Sequence, residues 1–103
     1  MADSEAVYML NALWFKPDGA AAYAAYASAA APIVARLGGR RLDSFAPVAS
    51  LIGDWKPDLF FVVEWPSWEA FRQLGEDSDY REIAHLRGLG LENSLLVRCN
   101  RLP

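Results

Sequence analysis

A chain of 103 residues with 53% hydrophobic and 13% aromatic content holds one domain's worth of core, with no call for metal or disulfide support. Its net charge of −3 is mild and well mixed, and no basic run exceeds Arg40-Arg41, which argues against nucleic acid or anionic membrane as partners. No apolar stretch reads as a membrane span, the acidic start Met1-Ala2-Asp3-Ser4-Glu5 lacks a basic leader, and lone Cys99 cannot form an internal disulfide, so a reducing cytoplasm is expected.

Residues 1–6 read as a short flexible tail, and residues 7–103 as a single domain. A first strand runs from Val7 to Phe15 and stops at Lys16-Pro17-Asp18-Gly19, with Asp18 placed to cap the next helix. Ala20 to Leu37 reads as that helix, with Tyr23, Tyr26, Ala27, Ala30, Val34 and Leu37 at helical spacing, Pro32 loosening it and Gly38-Gly39 ending it. Arg40 to Phe45 is a second strand with Pro47 marking an edge or bulge, and Val48 to Ile52 prolongs that arm to a turn at Gly53–Asp58. Leu59 to Trp65 is the third strand. Ser67 caps a second helix carrying Trp68, Phe71 and Leu74, which Gly75 ends. Ser78 caps a short helix over Asp79 to Arg87, and a last strand spans Asn93 to Asn100.

The order β-α-β-β-α-β is the ferredoxin-like arrangement, an α+β fold with helices on one face of a four-stranded antiparallel sheet. Two of its strands are apolar on both faces. Val7, Met9, Leu13 and Phe15 oppose Tyr8, Leu10, Ala12 and Trp14, while Leu59, Phe61, Val63 and Trp65 oppose Phe60, Val62 and Glu64. Each large side chain left wet on the bare face forgoes about 1.5–3 kcal/mol, so a second copy of the chain is the expected cover. The expected assembly is a homodimer with sheets face to face.

Gly38-Gly39-Arg40, Gly53-Asp54-Trp55-Lys56-Pro57, Val62-Val63-Glu64-Trp65-Pro66-Ser67 with Ala70, then Ser78-Asp79-Tyr80 and Arg87 occur in that order. In this the chain resembles the thirteen-thirty domain-of-unknown-function family of the dimeric α+β barrel superfamily, over roughly Val7 to Cys99. The resemblance implies a ferredoxin-like fold, a dimer and no cofactor, and it carries over no catalytic residue. The wider superfamily includes cofactor-free monooxygenases, haem-degrading enzymes, muconolactone isomerases and chlorite dismutase-like proteins, a breadth that leaves function to the site.

Glu64 is the first candidate for chemistry, because a carboxylate in an apolar strand either faces a cavity with a raised pKa or pairs with Arg40, Arg41 or Arg87. His85, the single histidine, is the second catalytic candidate; its other reading is a surface helical residue. Asn11, the one polar residue inside the first strand, either orients a ligand or satisfies a neighbour. Arg40 and Arg87 can hold a substrate carboxylate or pair with Asp43, Glu64 or Glu82. Trp55 can cover a pocket mouth or pack at an interface, and Trp65 completes the ligand-facing set. Tyr23 and Tyr26 read as core. No ligand spacing for a metal, phosphate loop, dinucleotide fingerprint or Ser-His-Asp elbow is present.

The expected function is binding of a small apolar or carboxylated metabolite between sheet and helices, with cofactor-independent catalysis as an extension of it. The alternative is a non-catalytic dimerisation module whose cleft is filled by Trp14, Trp55, Trp65 and Trp68.

Overall fold

A computed structural model describes residues 5–103; of the expected tail over residues 1–6, the first four lie outside the described residues. Strand β1 (Val7–Phe15) leads into helix α1 (Gly19–Arg36), then β2 (Arg40–Phe45), β3 (Leu59–Trp65), α2 (Trp68–Glu76), α3 (Ser78–Ile83), a 3-10 segment (Ala84–Gly88) and β4 (Leu91–Cys99). The sheet order β2-β3-β1-β4 with every pair antiparallel is the ferredoxin-like order.

The register sorts the two faces. Val7 opposes Trp65, Met9 opposes Val63 and Asn11 opposes Phe61, which puts all six on the helix-covered side. Leu10 lies between Val62 and Val97, and Ala12 between Phe60 and Leu95, on the side without helices. On the covered side the core divides in two. Leu13, Tyr23, Tyr26, Ala30, Phe61 and Leu91 form one cluster, and Val7, Met9 and Trp65 the other.

Helix α1 is rich in alanine, the strongest helix former, and it runs through Pro32 without a break. Gly38 takes φ +100 and ends it, as a residue without Cβ can. Gly19 and Gly90 touch backbone to backbone, and a Cβ on either would run into the other's carbonyl oxygen. Ser67 caps α2, accepting from the Ala70 amide at 3.0 Å.

Several local expectations are corrected. Asp18 stands at the start of α1 but with φ 61, and its side chain makes no capping bond. The Gly19 amide bonds the Lys16 carbonyl instead, at 2.7 Å. Val48 to Ile52 does not prolong β2: Phe45 already pairs with Phe60, so β3 offers these residues almost nothing to pair with. They are exposed, Leu51 at 93% and Ile52 at 98%. Gly75 lies inside α2 rather than ending it. Asp77, not Ser78, caps α3, accepting from the Tyr80 amide at 3.0 Å, and the expected helix over 79–87 gives way to a 3-10 segment after Ile83. The last strand begins two residues early, at Leu91.

Candidate functional site

Between the covered face of the sheet and helices α1 and α2 lies a cavity of about 420 Å³. Its origin is subtraction. Ala27, Ala30, Ala31 and Ala35 line it from α1, and side chains that short leave room between the two core clusters, which Val63 bridges on the sheet. Gly39 admits the chain close over Trp65, whose ring would stand 3.0 Å from a Cβ there.

The floor is set by strand parity. Met9, Asn11, Phe61, Val63 and Trp65 all face the cavity. Asn11 is buried and donates from its amide nitrogen to the Met9 carbonyl at 3.2 Å, which leaves its oxygen directed to Arg87 at 3.5 Å. Arg87, on the 3-10 segment, also donates to the Ser94 hydroxyl at 3.3 Å. Arg41 enters from β2, where the register slips between Arg41 and Ser44. Its guanidinium lies 3.6 Å from the Phe61 ring centroid and donates to the Ser44 hydroxyl at 3.0 Å. Among the described residues, neither Arg41 nor Arg87 has a carboxylate within ion-pairing distance.

Two phenols complete the polar set. Tyr26 shares a hydrogen bond with Tyr80, hydroxyl to hydroxyl, at 2.7 Å. Burial pushes the Tyr26 phenol far up, with the bond to Tyr80 adding to it. Tyr23 is only 5% exposed, yet lines the cavity. Burial raises its pKa as well, against the pull of Arg87 and Arg41. Both phenols are therefore donors at neutral pH. The cavity presents donors and cations in an apolar chamber, and the residues lining it include no carboxylate and no histidine.

The expected site residues are divided by the fold. Asn11, Trp65 and Arg87 meet in this cavity, and Arg40 borders it. The guanidinium of Arg40, however, is bound to Glu64 at 2.7 Å, and Glu64 lies on the opposite side of the sheet, with Tyr8, Leu42 and Val62. The rise in pKa that a cavity carboxylate would show is reversed. The Arg40 guanidinium holds the Glu64 carboxyl below the usual range, with Tyr8 adding to the effect. Trp55 also sits on the helix-free side, 6.4 Å from Trp14 and 5.4 Å from Phe60 between ring centroids. His85 is exposed on the 3-10 segment and borders no cavity described. Of the four tryptophans only Trp65 reaches the cavity, so they do not fill it. Arg41, Tyr23 and Tyr26 were not expected as site residues. Strand alternation places Arg41, not Arg40, on the Phe61 side, and that signal was readable.

Among the described residues no three His, Cys, Asp or Glu side chains gather in a way that could hold a metal ion. No helix among them is long and apolar enough to cross a membrane.

Comparison with known proteins places this arrangement. The family model described as a domain of unknown function, DUF1330, matches residues 6–98. The chain belongs to this family. Its fold is that of a crystal structure of a protein of unknown function from Rhodopseudomonas palustris, 34% identical, TM-score 0.88, over 97% of this chain and 85% of that one. A dimeric protein of unknown function and ferredoxin-like fold from Bacteroides fragilis is similar in fold at 8% identity, TM-score 0.65, over 93% of this chain and 96% of that one. So is SnoaB, a cofactor-independent oxygenase from Streptomyces nogalater, at 15% identity, TM-score 0.69, over 96% of this chain and 95% of that one. Among curated proteins none matches the chain.

Proposed function

We propose that this DUF1330 chain is a cytoplasmic homodimer that binds a small, largely apolar metabolite in the chamber between its sheet and helices. One observation carries the reading: a cavity of about 420 Å³ with apolar walls and a few convergent polar groups, at the lower end of the sizes typical of small-molecule sites. The alanines that line it leave room for an occupant where longer side chains would fill the space. A module whose tryptophans fill its own cleft is disfavoured, because Trp14 and Trp55 lie on the other face of the sheet.

Dimerisation enters through the bare side of the sheet. Leu95 and Val97 are exposed there beside Leu10, Val62 and Phe60, an apolar surface a second copy would cover. The dimeric Bacteroides protein of the same fold supports this reading.

Any chemistry in the chamber would use donors rather than bases. Asn11, Arg41, Arg87 and two protonated phenols can stabilise negative charge on a ligand oxygen, and the residues lining the chamber supply no carboxylate or imidazole to remove a proton.

A thermal-shift screen with aromatic and alicyclic acids, phenols, ketones and alcohols tests the reading. We expect a chemically coherent subset to raise Tm, and the Trp65→Ala variant to lose the effect. A broad library without a single stabilising compound would overturn it.

A further inference from the structure

We propose that the cavity recognises a carboxylate, held by Arg41, Arg87 and Tyr23, whose apolar body extends toward Trp65, Phe71 and Leu74. The proposal rests on the small-molecule reading above and narrows it to a class of ligand.

The argument begins with what these side chains lack. Arg41 and Arg87 carry fixed positive charges at one chamber, and neither has a carboxylate partner among the described residues. Three other arginines do: Arg36 meets Asp77 at 2.9 Å, Arg40 meets Glu64 at 2.7 Å and Arg72 meets Glu69 at 2.8 Å, while Arg81, Arg98 and Arg101 also lack one but line no part of the chamber. Arg41 and Arg87 hydrogen-bond only neutral groups, Ser44 on the first and Ser94 with Asn11 on the second. Two like charges beside an apolar chamber repel each other and gain little from such neutral acceptors. An anion between them removes both costs.

Tyr23 is the independent observation. It is buried against α1's neighbours, lines the cavity, and bonds no other side chain through its hydroxyl among the described residues. No fully enclosed polar side-chain atom among them is left unpaired, so that oxygen keeps some exposure on a residue that lines the chamber. Tyr23, Arg41 and Arg87 line one chamber, and both guanidiniums pull against the rise in the phenol's pKa, Arg87 more strongly than Arg41. A protonated phenol beside two guanidiniums is a set of donors. That set suits a carboxylate, which has only acceptors.

The rest of the chamber fixes the other end of the ligand. Asn11 and Arg87 bond each other on one part of the lining. Met9, Trp65, Phe71 and Leu74, packed in one apolar cluster, line another. An amphipathic acid with a compact aromatic or alicyclic body matches both ends at once.

The test uses 1-naphthoate against 1-naphthamide, and 4-phenylbutyrate against its amide, by titration calorimetry on the full chain at pH 7. Each acid should bind at least about tenfold more tightly than its amide, and the preference should shrink as salt is raised. Arg87→Met and Arg41→Met should each abolish the preference. Arg87→Lys, which keeps the charge, should retain part of it and covers the case in which the Met variant folds poorly. Tyr23→Phe should weaken the acids about threefold or more and leave the amides unchanged. Equal binding of acid and amide would overturn the carboxylate assignment and leave the small-molecule reading standing. Absence of binding by acids, amides and the wider library together would overturn both.

Discussion

Arg40 and Glu64 face each other across β2 and β3, the guanidinium bonding one carboxylate oxygen through both Nε, at 3.1 Å, and Nη2, at 2.7 Å. The pair lies on the helix-free side of the sheet. Its electrostatics give the first prediction. Arg40 lowers the folded-state pKa of Glu64, so the stabilisation is fully present above the ordinary glutamate value and is lost as pH falls through the depressed one. Glu64→Gln should therefore be less stable than the parent at neutral pH, with the gap closing as the solution is acidified below about pH 4. The effect is small because the pair is solvated. Thermal unfolding from pH 7 down to pH 3 checks it; a gap that widened in acid would contradict the pairing.

Asp77 does two jobs at the start of α3. Its carboxylate accepts from the Tyr80 amide at 3.0 Å and from Arg36 at 2.9 Å, and these bonds hold its pKa below the usual range, the backbone contribution coming first. Asp77→Ala should lower Tm by about 4–8 °C. Asp77→Ser, which keeps a cap and loses the charge, should recover most of that loss.

Gly19 and Gly90 permit α1 to start against the strand after the 3-10 segment, with the Lys16 amide bonding the Gly90 carbonyl at 2.8 Å. Gly19→Ala or Gly90→Ala forces these backbones apart. Each should cost about 2–4 kcal/mol in denaturant unfolding. Gly88→Ala, where a Cβ would meet nothing within 4 Å, serves as the control and should stay within about 0.5 kcal/mol.

Ala27→Leu adds branched carbon to the wall of the cavity from a half-buried position. The chain should be unchanged or gain about 0.5–2 kcal/mol, as cavity filling does, while losing affinity for any occupant. Paired unfolding and titration experiments separate the two effects. A variant that bound as before would mean that the ligand sits elsewhere.

Val97→Asp places a charge on the bare side of the sheet, next to Leu10 in the register. If that side is shared between two copies, sedimentation should show the variant at the 11.4 kDa of a single chain and the parent at twice that. A parent that sediments as one chain would remove the dimer from the proposal.

The strands were legible as short, nearly continuous apolar runs bounded by Pro and Gly. Val7–Phe15 and Leu59–Trp65 fall where that punctuation puts them, and Ser67 caps α2 as its neighbours imply. The alternation of side chains along a strand held information about the site. Glu64 and Trp65 are consecutive in one strand and must face opposite ways, so they could not share a chamber. Arg40 and Arg41 diverge in the same way, the Arg40 guanidinium going to Glu64 and that of Arg41 to Phe61. What the pattern does not carry is emptiness. Alanines on a helix read equally as tight packing or as a void, and the choice depends on how far α1 stands from the sheet. Tyr23 is core as its spacing implies, but a helical stripe shows which way a ring points and not whether its hydroxyl finds a mate. The arm over 48–52 misled because its apolar residues look like a strand, whereas a strand needs a neighbour to bond.

The alanine face of α1 has a consequence for how members of this fold could diverge. Because the room is lined by short side chains of one helix, its dimensions can be retuned one residue at a time while the scaffold stays put. Swapping a methyl for an isobutyl at position 27 or 31 would reshape the guest and leave the host's blueprint untouched.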